Sequence, residues 1–178
     1  MNIYELIATR QSCREYDTTR AVEPEKIARI IEVARLAPSA CNSQPWHLVV
    51  VDEPAKCAQV ADALNSLGMN KFGIQAPIHI IVVEEVPNFS ARLGGWVTNK
   101  HFPLIDCGII TSYITLAATA EGLGSCILGW FDEKKLRCTL DIPKNKRILL
   151  DIIIGYSAQP HREKARKEIE DMSSSNKY

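Results

Sequence analysis

The sequence has no excess of charge of either sign. Lysine and arginine together number 21, aspartate and glutamate also number 21, and the formal net charge is therefore zero. Proteins that coat nucleic acid usually carry a basic excess, because neutralising phosphates drives that binding. We therefore expect no nucleic-acid partner, and any recognition of an anion must depend on a local cluster of basic residues.

The chain also lacks the segments that export a protein or hold it in a membrane. Its N-terminal stretch, MNIYELIATRQSCREY, has no basic region followed by an apolar core, as a signal peptide would. No apolar run approaches the roughly 20 residues that a membrane helix needs. These absences predict a cytoplasmic protein that does not associate with membranes.

Cysteines are present but lack the spacing of a metal or disulfide site. No Cys-x-x-Cys pair occurs, and no histidine lies at ligand spacing from a cysteine. We therefore predict no metal site, and we expect most of the cysteines to be small buried thiols. The six are Cys13, Cys41, Cys57, Cys107, Cys126 and Cys138.

The chain shows neither an internal repeat nor a long linker, which predicts a single domain over residues 1–178. At this length, folding buries roughly 68–70% of the surface of the unfolded chain, enough for a core without covalent support. Apolar periodicity and capping residues predict the elements. Helices are expected at 2–10, 23–36, 54–68, 104–121 and 132–140, and strands at 47–52, 78–85, 125–131 and 147–156.

Three features of this pattern bear on the fold and the function. The strand at 47–52 is expected to be buried, and residues 86–103 are expected to be irregular, with the length of a lid or binding loop. The helix at 104–121 is apolar around much of its circumference and must be buried on more than one side. Pattern alone leaves both α/β and α+β folds open.

Two basic segments could bind a phosphate. Arg10, Ser12 and Arg14 lie within RQSCR, and guanidinium groups offer several planar donors to an anion. A second basic run, HREKARK, covers residues 161–167. Taken alone, each segment is more typical of a solvated charged surface than of a phosphate site.

Two uncharged segments suit a heterocyclic ligand. In PSACNSQPW, residues 38–46, Asn42 and Gln44 each provide a donor and an acceptor, although a plain helix-to-strand turn would use the same residues. In GLGSCILGW, residues 122–130, Gly129 would let the backbone approach a ligand closely. The glycines match neither a dinucleotide-binding fingerprint nor a P-loop.

Taken together, these four segments resemble the nitroreductase family of FMN-dependent flavoproteins. Asp106 and Gly108, which open the long apolar helix, complete the pattern, and PSACNSQPW and GLGSCILGWF are its most specific parts. The resemblance spans nearly the whole chain. It implies an α+β fold with a central, mainly antiparallel sheet flanked by helices. It also implies a homodimer with the long apolar helix at the interface, although a central helix in a monomeric core is an alternative.

The resemblance implies where the phosphate end of FMN would bind. Arg10 and Ser12 would contact the phosphate and the ribityl chain, and Arg14 would lie nearer the pyrimidine end of the ring. Lys164 and Arg166 match the basic pair with which the family's C-terminal segment binds phosphate. These residues would supply the local cluster that a neutral protein needs to hold a dianion.

The resemblance also implies contacts to the flavin ring. The Pro38–Gln44 loop would come from the partner chain, with Asn42 as its main polar contact, and the backbone of Leu128 and Gly129 would face flavin N5. Asn70 and Lys71 match ring-contacting positions less closely. The full predicted set is Arg10, Gln11, Ser12, Arg14, Pro38, Ser39, Asn42, Gln44, Leu128, Gly129, Lys164 and Arg166.

The implied activity is a ping-pong transfer of hydride from NAD(P)H, through flavin N5, to a nitroaromatic, quinone or similar electrophile. The cofactor carries this chemistry, so no catalytic protein nucleophile is expected. The chain is short for the family, and residues 89–102 would have to supply the substrate lid, with Trp96 stacking on the substrate.

Three alternatives stay open from the sequence. The chain could bind or store flavin without turnover, or it could be a dehalogenase-like flavin enzyme on the same fold. It could also be a thiol-dependent enzyme that uses Cys41 or Cys126.

Overall fold

Four antiparallel strands form the sheet in the computed structural model, which describes residues 2–178. The strands are Trp46–Val51 (β1), Ile78–Glu84 (β2), Gly124–Leu128 (β3) and Arg147–Gly155 (β4). Their order is β1-β2-β4-β3, so β2 and β4 are central and β1 and β3 lie at the edges. Every neighbouring pair is antiparallel, which confirms the predicted α+β class.

Helices flank this sheet in the described residues. They are Ile3–Thr9 (α1), Pro24–Arg35 (α2), Pro54–Leu64 (α3), Phe89–Thr98 (α4), Phe102–Ala120 (α5), Glu133–Thr139 (α6) and Ile169–Met172 (α7). Their starts follow local capping rules. Asn2 and Glu5 form a reciprocal capping box on α1. Proline occupies the first turn of α2, α3 and α5, where its missing N–H costs nothing.

The core has two layers because alternate residues of the central strands face opposite sides of the sheet. Ile80 and Ile152 are fully buried on the side covered by α2 and α5. Ile81 and Val83 are buried on the opposite side, which α3 and α6 cover. The strand at 47–52 is only partly buried, contrary to expectation, because β1 lies at an edge of the sheet.

The segment predicted to be irregular, residues 86–103, contains helix α4. The side chain of Asn88 accepts a hydrogen bond from the backbone N–H of Ala91 and caps the helix. The sequence indicates no helix here because Gly94 and Gly95 are poor helix formers. Packing explains Gly95, since an added Cβ would lie 2.7 Å from the Lys100 carbonyl oxygen, where the chain folds back from α4.

Helix boundaries differ from expectation in one further place. Helix α3 ends at Leu64, before the predicted stop at Gly68, and a separate 3₁₀ turn covers Ser66–Gly68. The turn contains Leu67 and Gly68, both at positive φ, a conformation that an α-helix does not accommodate.

Helix α5 is long and apolar enough to cross a membrane by length and composition, with 19 residues and a mean hydropathy of 1.4. The expectation that no apolar run approaches that length is therefore wrong. Half of the helix is buried within the chain, where Ile110 and Ile114 pack against the sheet and α2. Such packing is typical of a core helix in an α+β fold.

A buried polar pair joins the two central strands. His79 Nδ1 lies 2.7 Å from Asp151 Oδ2, and both side chains are completely buried. Burial raises the pKa of the Asp151 carboxyl, and the neighbouring His79 ring opposes that rise. His47, by contrast, is exposed on β1.

We expect Ile152→Ala to lower the free energy of unfolding by about 2–5 kcal/mol, because it leaves a cavity between the sheet and α5. Ile127 is directly opposite on β3 but is 43% exposed, so Ile127→Ala should cost about half as much or less. Urea unfolding at matched protein concentration measures both. Equal losses would contradict this assignment of the core.

Candidate functional site

The segment after α1 lies alongside strand β3. The N–H of Cys13 donates to the Ser125 carbonyl at 2.9 Å, and Ser12 forms a parallel bridge with Ser125. A few residues further on, Tyr16 forms an antiparallel bridge with Ser157, just past the end of β4. The segment therefore runs beside β3 and then meets the chain that leaves the sheet.

This arrangement brings the two basic segments of the sequence together. Their side chains line a cleft of about 240 Å³ at the surface. Five of the eight lining residues are cations, against one acid, so the cleft is strongly positive although the protein is neutral. The lining residues are Arg10, Gln11, Ser12, Arg14, Arg162, Glu163, Lys164 and Arg166.

The pKa of Lys164 reflects burial and the repulsion among the like charges of this cleft. Burial and the charges of Arg10 and Arg166 lower the pKa of its ammonium group below the usual range. Its Nζ donates to the carbonyl oxygens of Ile7 and Ala8, near the C-terminal end of α1. These carbonyls hold the ammonium in place but do not cancel its repulsion from the guanidinium groups, so a bound anion would be stabilising.

Two neighbouring side chains on β3, those of Ser125 and Cys126, are buried beside the segment that carries Ser12. The hydroxyl of Ser125 is buried and has no hydrogen-bond partner among residues 2–178. Burial raises the pKa of the Cys126 thiol, although Arg14 and the Ser12 hydroxyl favour its ionised form. Cys126 is therefore a poor nucleophile. Cys41, the other thiol considered, is exposed in the Pro38–Gln44 loop.

The end of β3 carries the predicted ring-facing backbone. The strand ends at Leu128, earlier than predicted, and Gly129 follows it exposed while Leu128 is buried. Asn70 lies just before a 3₁₀ turn at Lys71–Gln75, and its Nδ2 donates to the Trp130 carbonyl at 2.8 Å. This bond joins the turn to the end of β3. Lys71 is exposed beside it.

The Pro38–Gln44 loop has an unusual backbone. Cys41, Asn42 and Gln44 all have positive φ, at 51°, 49° and 48°, and none of them is glycine. The hydroxyl of Ser39 accepts from the Gln44 N–H at 2.9 Å and helps to hold this conformation. Asn42 and Gln44 are exposed, and no residue of this loop lines the basic cleft. Strained backbone of this kind is often found at binding sites.

Two residues that the sequence interpretation did not assign to this loop hold it in place. The buried carboxylate of Asp106, at the start of α5, accepts from the Ala40 N–H at 3.1 and 3.2 Å. Asn88 donates through Nδ2 to the Cys41 carbonyl at 3.0 Å, and its N–H donates to the Ser43 hydroxyl at 2.8 Å. Asp106 belongs to the pattern that resembles the nitroreductase family, so the sequence marks it as a residue of interest. Nothing in the sequence around Asn88 indicates a contact with this loop.

Trp96, the predicted lid residue, lies on helix α4 rather than in an irregular loop, and it is 81% exposed. A cleft of about 460 Å³ lies between α4 and the start of α5, and Trp96, Arg92 and His101 are among its lining residues. Since Asn88 bonds the start of α4 to the Pro38–Gln44 loop, the loop and the helix form one connected unit.

Comparison with known proteins agrees with this arrangement. A protein from Archaeoglobus fulgidus, provisionally named an NADH dehydrogenase/NAD(P)H nitroreductase, is 32% identical and covers 93% of this chain and 90% of its own. A nitroreductase family protein from Clostridium difficile 630 has a TM-score of 0.82 at 28% identity, and both chains are covered completely.

A structure described as an FMN-dependent nitroreductase, from Clostridium difficile R20291, has a TM-score of 0.76 at 26% identity and covers 99% of this chain and 100% of its own. The model of the nitroreductase family matches residues 7–68 and 66–156, most of the sequence. With its antiparallel sheet, basic cleft and flanking loop, the chain belongs to the nitroreductase family.

Proposed function

We propose that the chain is an NAD(P)H-dependent oxidoreductase that carries FMN, with the phosphate of the cofactor in the basic cleft. The observation that carries this proposal is the convergence of the Arg10–Arg14 segment with Lys164 and Arg166 in one cleft. Its relatives include proteins named as FMN-dependent and as NAD(P)H-dependent nitroreductases. The family membership and the chemistry of the cleft support the same cofactor.

The donors present in the cleft fit a phosphate monoester. Such a group carries a charge of about −1.5 to −2 at neutral pH and accepts hydrogen bonds through three oxygens. Arg10, Lys164 and Arg166 offer charged donors, and their mutual repulsion would fall on binding a dianion. Ser12 also lines the cleft, and its hydroxyl would offer a further donor toward the ribityl chain.

The flavin ring would extend from this cleft toward the end of β3. When bound, FMN would supply the redox chemistry by taking hydride from NAD(P)H and passing it to an acceptor. The exposed Gly129 leaves space for close approach of a planar group, and its N–H can orient that group. Arg14 places a positive charge where it would favour electron uptake. We assign no protein nucleophile to the reaction.

The proposal includes a homodimer. The Pro38–Gln44 loop contributes no residue to the basic cleft of its own chain, and we propose that the ring contact from Asn42 comes from a partner subunit. Large apolar side chains are exposed on α1 and at the start of α5, including Tyr4, Ile7 and Ile105. Exposed apolar surface of this kind marks an interaction site, and α5 would then belong to both the core and the interface.

The substrate side of the site would be built by α4. Trp96 presents an exposed aromatic surface suited to stacking on a conjugated electrophile, such as a nitroaromatic or a quinone. We propose that the donor and the acceptor use the same place in turn, which is a ping-pong scheme. The connection from α4 through Asn88 to the strained loop would keep this surface fixed relative to the ring.

We expect Arg10→Ala to weaken FMN binding about 10- to 100-fold, because a hydrogen bond to a charged group is worth about 1.5–3 kcal/mol. Quenching of FMN fluorescence during titration of the apoprotein measures the affinity. Arg147→Ala, at the exposed start of β4, is the matched control and should leave binding unchanged. Stoichiometric, tight FMN binding by Arg10→Ala would refute this role for Arg10.

We expect the purified protein to show flavin absorbance, and NADH or NADPH to bleach it under anaerobic conditions. Adding a quinone or a nitroaromatic should then restore the oxidised spectrum without oxygen. If the absorbance persists with both donors, the chain is a flavin-binding or storage protein. If neither acceptor restores it after bleaching, a different flavin chemistry, such as dehalogenation, becomes the better interpretation.

FMN binding should weaken as the pH rises toward the ordinary pKa of lysine, about 10.4, because the Lys164 pKa already lies below its usual range. Loss of its proton would remove a charged donor, while the phosphate stays dianionic, and the affinity should fall about tenfold or more. In Lys164→Arg the charge persists, so the fall should be smaller. Fluorescence titrations at several pH values that give identical profiles for both proteins would contradict the assignment.

A further inference from the structure

The two segments that line the basic cleft are joined by the side chain of Gln159. Its Oε1 accepts a hydrogen bond from the Arg14 N–H at 2.8 Å, and its Nε2 donates to the Ser12 carbonyl oxygen at 3.1 Å. The Gln159 amide thereby bonds a donor and an acceptor that lie two residues apart in the N-terminal segment. A neighbouring strand would pair with the same two groups in a sheet.

Gln11 makes the reciprocal connection from the other side of the cleft. Its Nε2 donates to the Pro160 carbonyl oxygen at 3.1 Å, and its Oε1 accepts from the Arg162 N–H at 3.0 Å. Each glutamine therefore belongs to one segment and satisfies two backbone groups of the other. Together they form a pair of amide clamps, Gln11 and Gln159, between the two segments that line the cleft.

The clamps lie where backbone pairing between the two segments ends. The Asp17 N–H donates to the Tyr156 carbonyl and the Ala158 N–H donates to the Glu15 carbonyl, both at 2.9 Å. Beyond Ala158, toward the basic residues, no further backbone hydrogen bond between the segments is present in the part of the chain that the structure describes. Proline at position 160 has no N–H with which to extend such a ladder.

The need for clamps follows from the charges. Basic residues of both segments line the same cleft, and their like charges repel each other. This repulsion drives the two segments apart. The residues are Arg10 and Arg14 on one segment, and Lys164 and Arg166 on the other. Neutral amides can bridge them without adding a negative charge that would compete with a bound anion. A carboxylate in either position would hold the cations but would also lower the positive charge of the site.

We infer that Gln11 and Gln159 are positioning residues that set the spacing of the basic side chains and thereby the selectivity of the site for a phosphorylated flavin. This inference rests on the proposed function, because it takes the phosphate of FMN as the anion in the cleft. The glutamines act through the backbone of Ser12, Arg14 and Arg162, and no contact with the ring is required.

The test compares FMN with riboflavin, which has the same ring and no phosphate. Gln11→Met and Gln159→Met remove the amide while keeping an unbranched, uncharged side chain. Gln59→Met, on the exposed face of α3, is the matched control. Affinities come from flavin fluorescence quenching with apoprotein, and the melting temperature of each variant reports on folding.

We expect each clamp variant to lose about tenfold in affinity for FMN, while riboflavin affinity stays within about twofold and Gln59→Met matches the parent protein. The inference is overturned if the clamp variants keep the parent's preference for FMN, or if they lose both flavins equally. A parent protein that binds riboflavin as tightly as FMN would instead refute the proposed phosphate site. Should Gln159→Met fold poorly, Gln11→Met carries the test, because its hydrogen bonds are exposed.

Discussion

Repulsion among like charges is the constraint on which this site depends. A protein with no net charge gathers five cations around one cleft, and their repulsion must be offset by bonds that hold the two segments together. Backbone hydrogen bonds from the Asp17 N–H to the Tyr156 carbonyl and from the Ala158 N–H to the Glu15 carbonyl provide the first of these bonds. The rigid central sheet, with β2 and β4 buried on both faces, anchors both segments, so the charge cluster depends on the core.

The Pro38–Gln44 loop is held in place by polar side chains at the starts of two helices. Asp106, at the start of α5, and Asn88, at the start of α4, hold a loop in which Cys41, Asn42 and Gln44 adopt positive φ. Such a backbone is costly for residues other than glycine and persists only where its surroundings determine it. The loop thus connects the starts of α4 and α5 through one short segment, and a shift of either helix would move it.

Much of the architecture could be predicted from local sequence. Proline in the first turn located α2 and α3, and the run of branched residues from Ile78 located β2, because capping and strand preference act within a few residues. Helix α4 is not predicted because Gly94 and Gly95 lower the helix propensity, and only the close approach of the Lys100 carbonyl explains Gly95. The edge position of β1 was likewise invisible, since strand order depends on contacts between distant segments.

By itself the sequence determined the types of chemical group available: guanidinium and ammonium groups near both ends, amides in a proline-bounded loop, and glycine after a strand. Those groups were enough to indicate the nitroreductase family, which the matched family model confirms. The fold brings Arg10 and Lys164 into one cleft and leaves Asn42 outside it. It also lets Gln11 and Gln159 bridge the two segments that line the cleft. None of these relations can be read from the sequence. The physical reason is that pairing between segments about 150 residues apart is set by the sheet and its core, and no local propensity encodes it.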